Sequence, residues 1–149
     1  MSSSLSSAKT ILEADATLLA LATGGIYDFD ETGRMGINRS NSATSGAFVN
    51  GVVQPCLLLK LSVSTPFGEV ADDAAKVTGA RDVLQVWAYQ DNGYATMTSM
   101  LDRVFTLLQG QQLGGFVCRW LRKVQPPIRD VDIDANIERD DYEVFWMRS

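Results

Sequence analysis

Residues 81–108 read RDVLQVWAYQDNGYATMTSMLDRVFTLL, and two periodicities meet within them. From Arg81 to Gln90 the side chains alternate, with Val83, Trp87 and Tyr89 on one face and Leu84, Val86 and Ala88 on the other. That is the period of a strand. Asp91-Asn92-Gly93 turns the chain, and from about Tyr94 to Gln109 the period lengthens. Tyr94, Met97, Leu101, Val104, Phe105 and Leu108 recur at helical spacing until Gly110 ends the run. A strand that hands over to an amphipathic helix predicts a fold that mixes the two, and the flanks extend the pattern. Upstream, Cys56 to Ser64 alternates Leu57, Leu59, Leu61 and Val63 with Lys60, Ser62 and Ser64, before Thr65-Pro66-Phe67-Gly68 breaks it and a polar connector runs to Thr78. A first helix is expected from a Ser6 or Ser7 cap to about Thr23, through Ile11, Ala14, Leu18 and Leu21, with Gly24-Gly25 as its stop. Downstream, a strand runs from Gly115 to Val124 with Phe116, Cys118 and Trp120 on one face, and Pro126-Pro127 is expected to end its ladder. A last strand covers about Asp141 to Arg148. The expected fold is α+β: a single small domain over residues 1–149, in the order α-β-β-α-β-β. Its antiparallel or mixed sheet carries two helices packed on one face.

Composition narrows the function. A chain of 149 residues with 46% hydrophobic and 21% charged residues is ordinary for one globular domain. Its two cysteines, Cys56 and Cys118, are far apart and predict no disulfide framework, which points to a reducing compartment. There is no histidine, so the imidazole base, the Ser-His and Cys-His dyads and nearly every zinc site are excluded. No G-x-G-x-x-G, Walker A or G-x-S-x-G pattern occurs, and carboxylate pairs such as Asp72-Asp73 have nothing that aims them at a site. No catalytic residue, cofactor or metal is expected. Trp87, Trp120 and Trp146 read as core or interface anchors. The N-terminus lacks the pattern of a signal peptide, and no apolar run approaches the length of a membrane span.

The net charge of −5 is concentrated. Between Ile128 and Glu143 there are seven acids against Arg129 and Arg139, whereas the remainder balances, so no basic excess is left for a nucleic acid. Asp130, Asp132, Asp134 and Asn136 alternate like the opening of a calcium loop, but Ala135 and Asp141 stand where that loop needs glycine and glutamate. The segment reads as a solvated connector, or as a surface that repels a polyanion or steers a basic partner; Asp130, Asp132 and Asp134 are expected at a lumen or subunit interface. Arg119, Arg122 and Lys123 form the one basic cluster, with Arg119 and Lys123 on one strand face and Arg122 on the other. They either blunt a sheet edge or pair with the acidic run of an adjacent subunit. Residues 28–53 show no period. They form a long loop, either a surface insertion or a segment that orders on a neighbouring subunit, and Phe48, Val49, Val52 and Val53 are its candidate contacts.

Several short signatures then line up. Leu19 to Tyr27 ends a helix in Gly-Gly-Ile-Tyr, Pro55-Cys56-Leu57-Leu58-Leu59 opens a strand, Val83 to Leu108 joins strand to helix, and Asp141-Tyr142-Glu143-Val144-Phe145-Trp146 closes the chain. In this order of elements the chain resembles the tail terminator, or tail completion, proteins of long-tailed bacteriophages, except for the long 28–53 insertion. The resemblance covers most of the chain. It implies a homo-oligomeric ring, a hexamer, that caps the tail tube, ends its polymerisation and joins the tail to the head connector. The implied partners are further copies of this chain, the major tail tube protein and the head connector or completion protein, with DNA passing through without specific binding. The implied location is the virion, at the head–tail junction, after assembly in the host cytoplasm, with no membrane involved. A head-completion or connector adaptor of the phage neck is the nearest alternative, and a small cytosolic binding module or carboxylate enzyme the next.

Overall fold

Two helices, not one, open the chain in the computed structural model, which describes residues 2–62, 65–67 and 79–147. Helix α1 (Ser2–Glu13) and helix α2 (Ala16–Leu21) are separated by Asp15, whose carboxylate accepts from the Leu18 amide and caps α2. The apolar period runs through both helices and so conceals the break. A Cβ at Gly24 would lie 2.8 Å from the Gln54 carbonyl oxygen, so only glycine allows the turn into β1 (Gly25–Asp28) to pass this close.

The remaining strands are β2 (Phe48–Val49), β3 (Val52–Val53), β4 (Cys56–Leu61), β5 (Thr65–Phe67), β6 (Gly79–Gln90), β7 (Gln112–Leu113), β8 (Phe116–Asp130) and β9 (Ala135–Met147), with helix α3 (Ala95–Leu108) after β6. Among the described residues, the main sheet runs β1-β4-β6-β9-β8-β7, with β5 also on β6. The β1–β4 pair is parallel and the others are antiparallel, so the sheet is mixed. The chain is therefore α+β, but the order of elements is longer than the α-β-β-α-β-β expected.

One side of the sheet carries the main core. Leu57, Leu59, Leu84, Val86, Ala88, Cys118, Tyr142 and Val144 pack with Leu5, Leu12 and Leu18 of the first helices and with Met97, Met100, Leu101, Val104 and Leu108 of α3. On the opposite side a second cluster joins Cys56, Leu58, Tyr89, Ala135 and Ile137 to Ile37, Ala47 and Val53. The segment at 28–53 is thus not structureless within this chain. It holds a 3-10 turn (Ser42–Ala47) and the β2–β3 hairpin, and its apolar residues cover one end of the sheet.

Two boundaries differ from expectation for physical reasons. Strand β8 passes through Pro126-Pro127, with register shifts on either side of Gln125. Beyond Val117 it pairs only with β9 among the described residues, so its outer edge needs no amide donor there. Strand β9 begins at Ala135, so most of the acidic run belongs to the sheet rather than to a connector. Val63, Ser64 and most of the expected polar connector lie outside the described residues.

Candidate functional site

The helix-free face of β9 is where the charges meet. Its outward residues Arg139, Asp141 and Glu143 lie opposite Trp87, Gln85 and Val83 of β6. On the other flank the register sets Arg119 against Glu143 and Arg122 against Asp141. Glu143 accepts from Arg119 at 2.6 Å and from Arg81 at 3.3 Å. Asp141, with a side chain 0% exposed, accepts from Arg139 at 3.0 Å and pairs with Arg122 at 3.1 Å. A carboxylate this deep is tolerated only because it is paired. For Glu143, burial alone would push the carboxyl up, but the hydrogen bonds from Arg119 and Arg81 outweigh it and hold the group below its ordinary value. The guanidiniums are steadied from beneath as well, Arg119 lying 5.0 Å over the Phe145 ring and Arg139 5.0 Å over Trp87.

Among the described residues the charges on this face do not cancel. Two buried carboxylates hold four arginines, of which Arg81, Arg119 and Arg122 have side chains 44%, 60% and 57% exposed. Two positive charges are left over, presented in fixed positions to solvent. Such an array binds anions well, since guanidinium forks match carboxylate or phosphate oxygens.

The helix side of β9 carries the remaining acids of the run. Lys123 bridges Glu138 at 2.6 Å and Asp140 at 2.7 Å. Burial raises the Asp140 carboxyl despite Lys123, while the two carboxylates outweigh desolvation to raise the Lys123 ammonium. Glu138 Oε2 and the Tyr142 hydroxyl, both buried, have no hydrogen-bond partner among the described residues.

These placements correct the expectations for the basic cluster and the acidic run. Arg119 and Arg122 share a face and Lys123 takes the other, because the irregularity between Trp120 and Arg122 shifts the alternation by one. All three pair with acids of their own chain. Glu138, Asp140, Asp141 and Glu143 are buried, so that half of the run is no solvated connector.

Within the acidic run, the exposed acids among the described residues lie at the β8–β9 turn. Asp132 and Asp134 are exposed and Asp130 is half-buried, its carboxylate accepting from the Asp132 amide. Asp134 adopts φ 56° and pairs with Arg129. Arg39 reaches across from the 28–53 segment to the carbonyls of Asp132 and Ile133, which holds the turn against the hairpin. Val131 at its tip is 81% exposed, and Ile128 beside it 44%. Among the described residues no group of three or more His, Cys, Asp or Glu is arranged to hold a metal ion.

The other candidate contacts divide. Val53 is buried and Phe48 half-buried against the chain's own sheet, whereas Val49 and Val52, paired across the hairpin, face solvent. Cys56 and Cys118 are buried free thiols, pushed up to about 12 by desolvation and unfit as nucleophiles. Asp72 and Asp73 lie outside the described residues. Among the described residues no helix is long and apolar enough to cross a membrane. Sequence reasoning passes over Arg81, Trp87, Arg139, Asp141 and Glu143 as a site. The signal is present in the alternation of Ile137, Arg139, Asp141 and Glu143, but it emerges only once β9 is extended back to Ala135.

No family model matches this chain, and no curated protein matches it. Solved structures do. A chain from a structure described as the virion of a native gene transfer agent particle is similar over 94% of this chain and 91% of its own length, with 20% identity and a TM-score of 0.60. The likeness is one of fold. A structure of the bacteriophage SPP1 gp17 protein is also similar, over 95% of this chain and 87% of that one, at 15% identity and a TM-score of 0.48.

Proposed function

We propose that this chain is a structural subunit of a phage-type particle, and specifically a tail-terminator subunit. Copies of it would close into a ring, a hexamer, that caps the tail tube, ends its growth and meets the head connector, while DNA passes without specific contact. The carrying observation is the fold shared, over 94% of the chain, with a chain of a gene transfer agent virion. The element signatures that resemble tail terminators add to it, as does a surface whose chemistry favours association over turnover. The charge cluster on its open sheet face is locked into ion pairs within and across strands, and its thiols are buried. The place of action is the head–tail junction of the virion, after assembly in the host cytoplasm.

The test mixes purified protein with tail-tube subunits and follows tube length by electron microscopy and particle mass by mass photometry. Capped, shortened tubes are the expected result, and a ring that forms only on the tube satisfies the reading. A strict monomer that neither caps nor shortens tubes overturns it. Binding to the head connector without any effect on tubes would move the chain to an adaptor position in the neck.

A further inference from the structure

Among the described residues, two surfaces carry an excess of opposite charge. On the open face of the sheet, Arg81, Arg119, Arg122 and Arg139 surround Asp141 and Glu143, leaving a charge of +2. At the β8–β9 turn, Asp130, Asp132 and Asp134 outnumber Arg129 by two, and the Arg39 guanidinium on the turn's carbonyls brings the excess to −1. The turn also exposes Val131 and Ile128, whereas the array has aromatic rings, Phe145 and Trp87, beneath its arginines. Each surface thus offers what the other lacks.

They cannot meet within one chain. Both belong to the same pair of antiparallel strands, and at about 3.3 Å per residue the array lies roughly 20–30 Å along β9 from the turn. Arg39 further holds the turn's carbonyls in place, so it does not fold back. Complementary patches at separate places on one subunit make a head-to-tail contact, which either closes into a ring or runs on as a filament.

We infer that the acidic β8–β9 tip of one copy docks on the guanidinium array of the next. The contact rests on the ring assembly proposed above and identifies the surfaces that would build it. Asp130 and Asp132 meet Arg119 and Arg122, whose exposed forks take carboxylates without giving up Glu143 and Asp141, while Val131 is covered at the rim. Because Asp132 and the Arg119 and Arg122 side chains are solvent-exposed before docking and Asp130 is only half-buried, the attraction weakens with salt.

The experiment uses the full-length chain in two reversal variants, Asp130→Lys with Asp132→Lys, and Arg119→Glu with Arg122→Glu. In the second, Glu143 keeps Arg81 and Asp141 keeps Arg139. Association is read by native mass spectrometry and sedimentation, both in free solution and on tail tubes, in low and high salt. Each variant alone is expected to associate at least about tenfold more weakly than wild type, and their equimolar mixture to recover. If the array variant does not fold, Val131→Cys combined with Arg122→Cys replaces it, and a short bismaleimide is expected to give a ladder of multimers. Wild-type association by both reversal variants, or an assembling cysteine variant that gives no ladder, overturns the contact while leaving the ring standing. Loss of duplex-DNA binding in the array variant, with multimers intact, likewise overturns it and assigns the array to nucleic acid. A wild type that neither multimerises nor caps tubes overturns the proposed function first and the contact with it.

Discussion

Asp141 provides a quantitative test of how the sheet tolerates its buried charge. Arg122 and Arg139 both hold this carboxylate, so removing either arginine leaves the other. Arg122→Ala removes one ion pair whose arginine is more than half exposed, and with Arg139 still on Asp141 it should cost about 1 kcal/mol. Arg139→Ala removes two hydrogen bonds and the stack on Trp87, and should cost roughly 1–2 kcal/mol. The double variant leaves a fully buried carboxylate with neither arginine, a state that costs about 3–5 kcal/mol beyond the loss of the stack. The double loss should therefore exceed the sum of the single losses by roughly 1–3 kcal/mol. Adding Asp141→Asn to the double variant should return much of that excess, because an amide has no charge to leave unpaired. Equilibrium urea unfolding followed by tryptophan fluorescence measures each loss, and 1 kcal/mol corresponds to roughly 2–4 °C in melting temperature for a chain of this size. Strictly additive arginine losses, or no recovery when Asp141→Asn is added, would refute the idea that the pair of arginines exists to hold one buried charge.

Asp15 is drawn from 3.8 to about 2, first by its hydrogen bonds from Arg103, so the stability it adds is present above pH 3.8 and lost as pH falls toward about 2. The melting-temperature gap between wild type and Asp15→Ala should close across that window in a series of thermal melts and stay constant at neutral pH. Ile37→Ala, in the buried cluster under the 28–53 segment, should cost roughly 2–5 kcal/mol in the isolated chain; a cost below about 0.5 kcal/mol would mean that the segment is not packed before assembly. Cys56 and Cys118 should resist maleimide at pH 8 in the native chain and react completely in guanidinium, as scored by intact mass.

Much of the sheet is legible in the residue order. The alternation of Val83 to Tyr89 places Leu84, Val86 and Ala88 beneath the helices and Trp87 and Tyr89 on the far side, as the structure has them. The stripe from Met97 to Leu108 marks α3 because apolar periodicity is a local property that burial selects directly. The acidic run misleads for the complementary reason. Between Glu138 and Glu143 the alternating residues are charged, so a hydrophobic pattern cannot detect the strand. Its burial depends on partners more than ten residues away in β6 and β8.

The amino-acid sequence alone determined that this chain has no imidazole to offer, and where the strand and helix periods lie. Only the tertiary structure decided which charges are neutralised. One irregularity beside Trp120 moves Arg122 onto the face of Arg119 and sends Lys123 to the other, and strand register then assigns each cation its acid. Ion pairs need contact within a few ångströms, and that proximity is set by register and bulges across strands, which no single stretch of residues encodes.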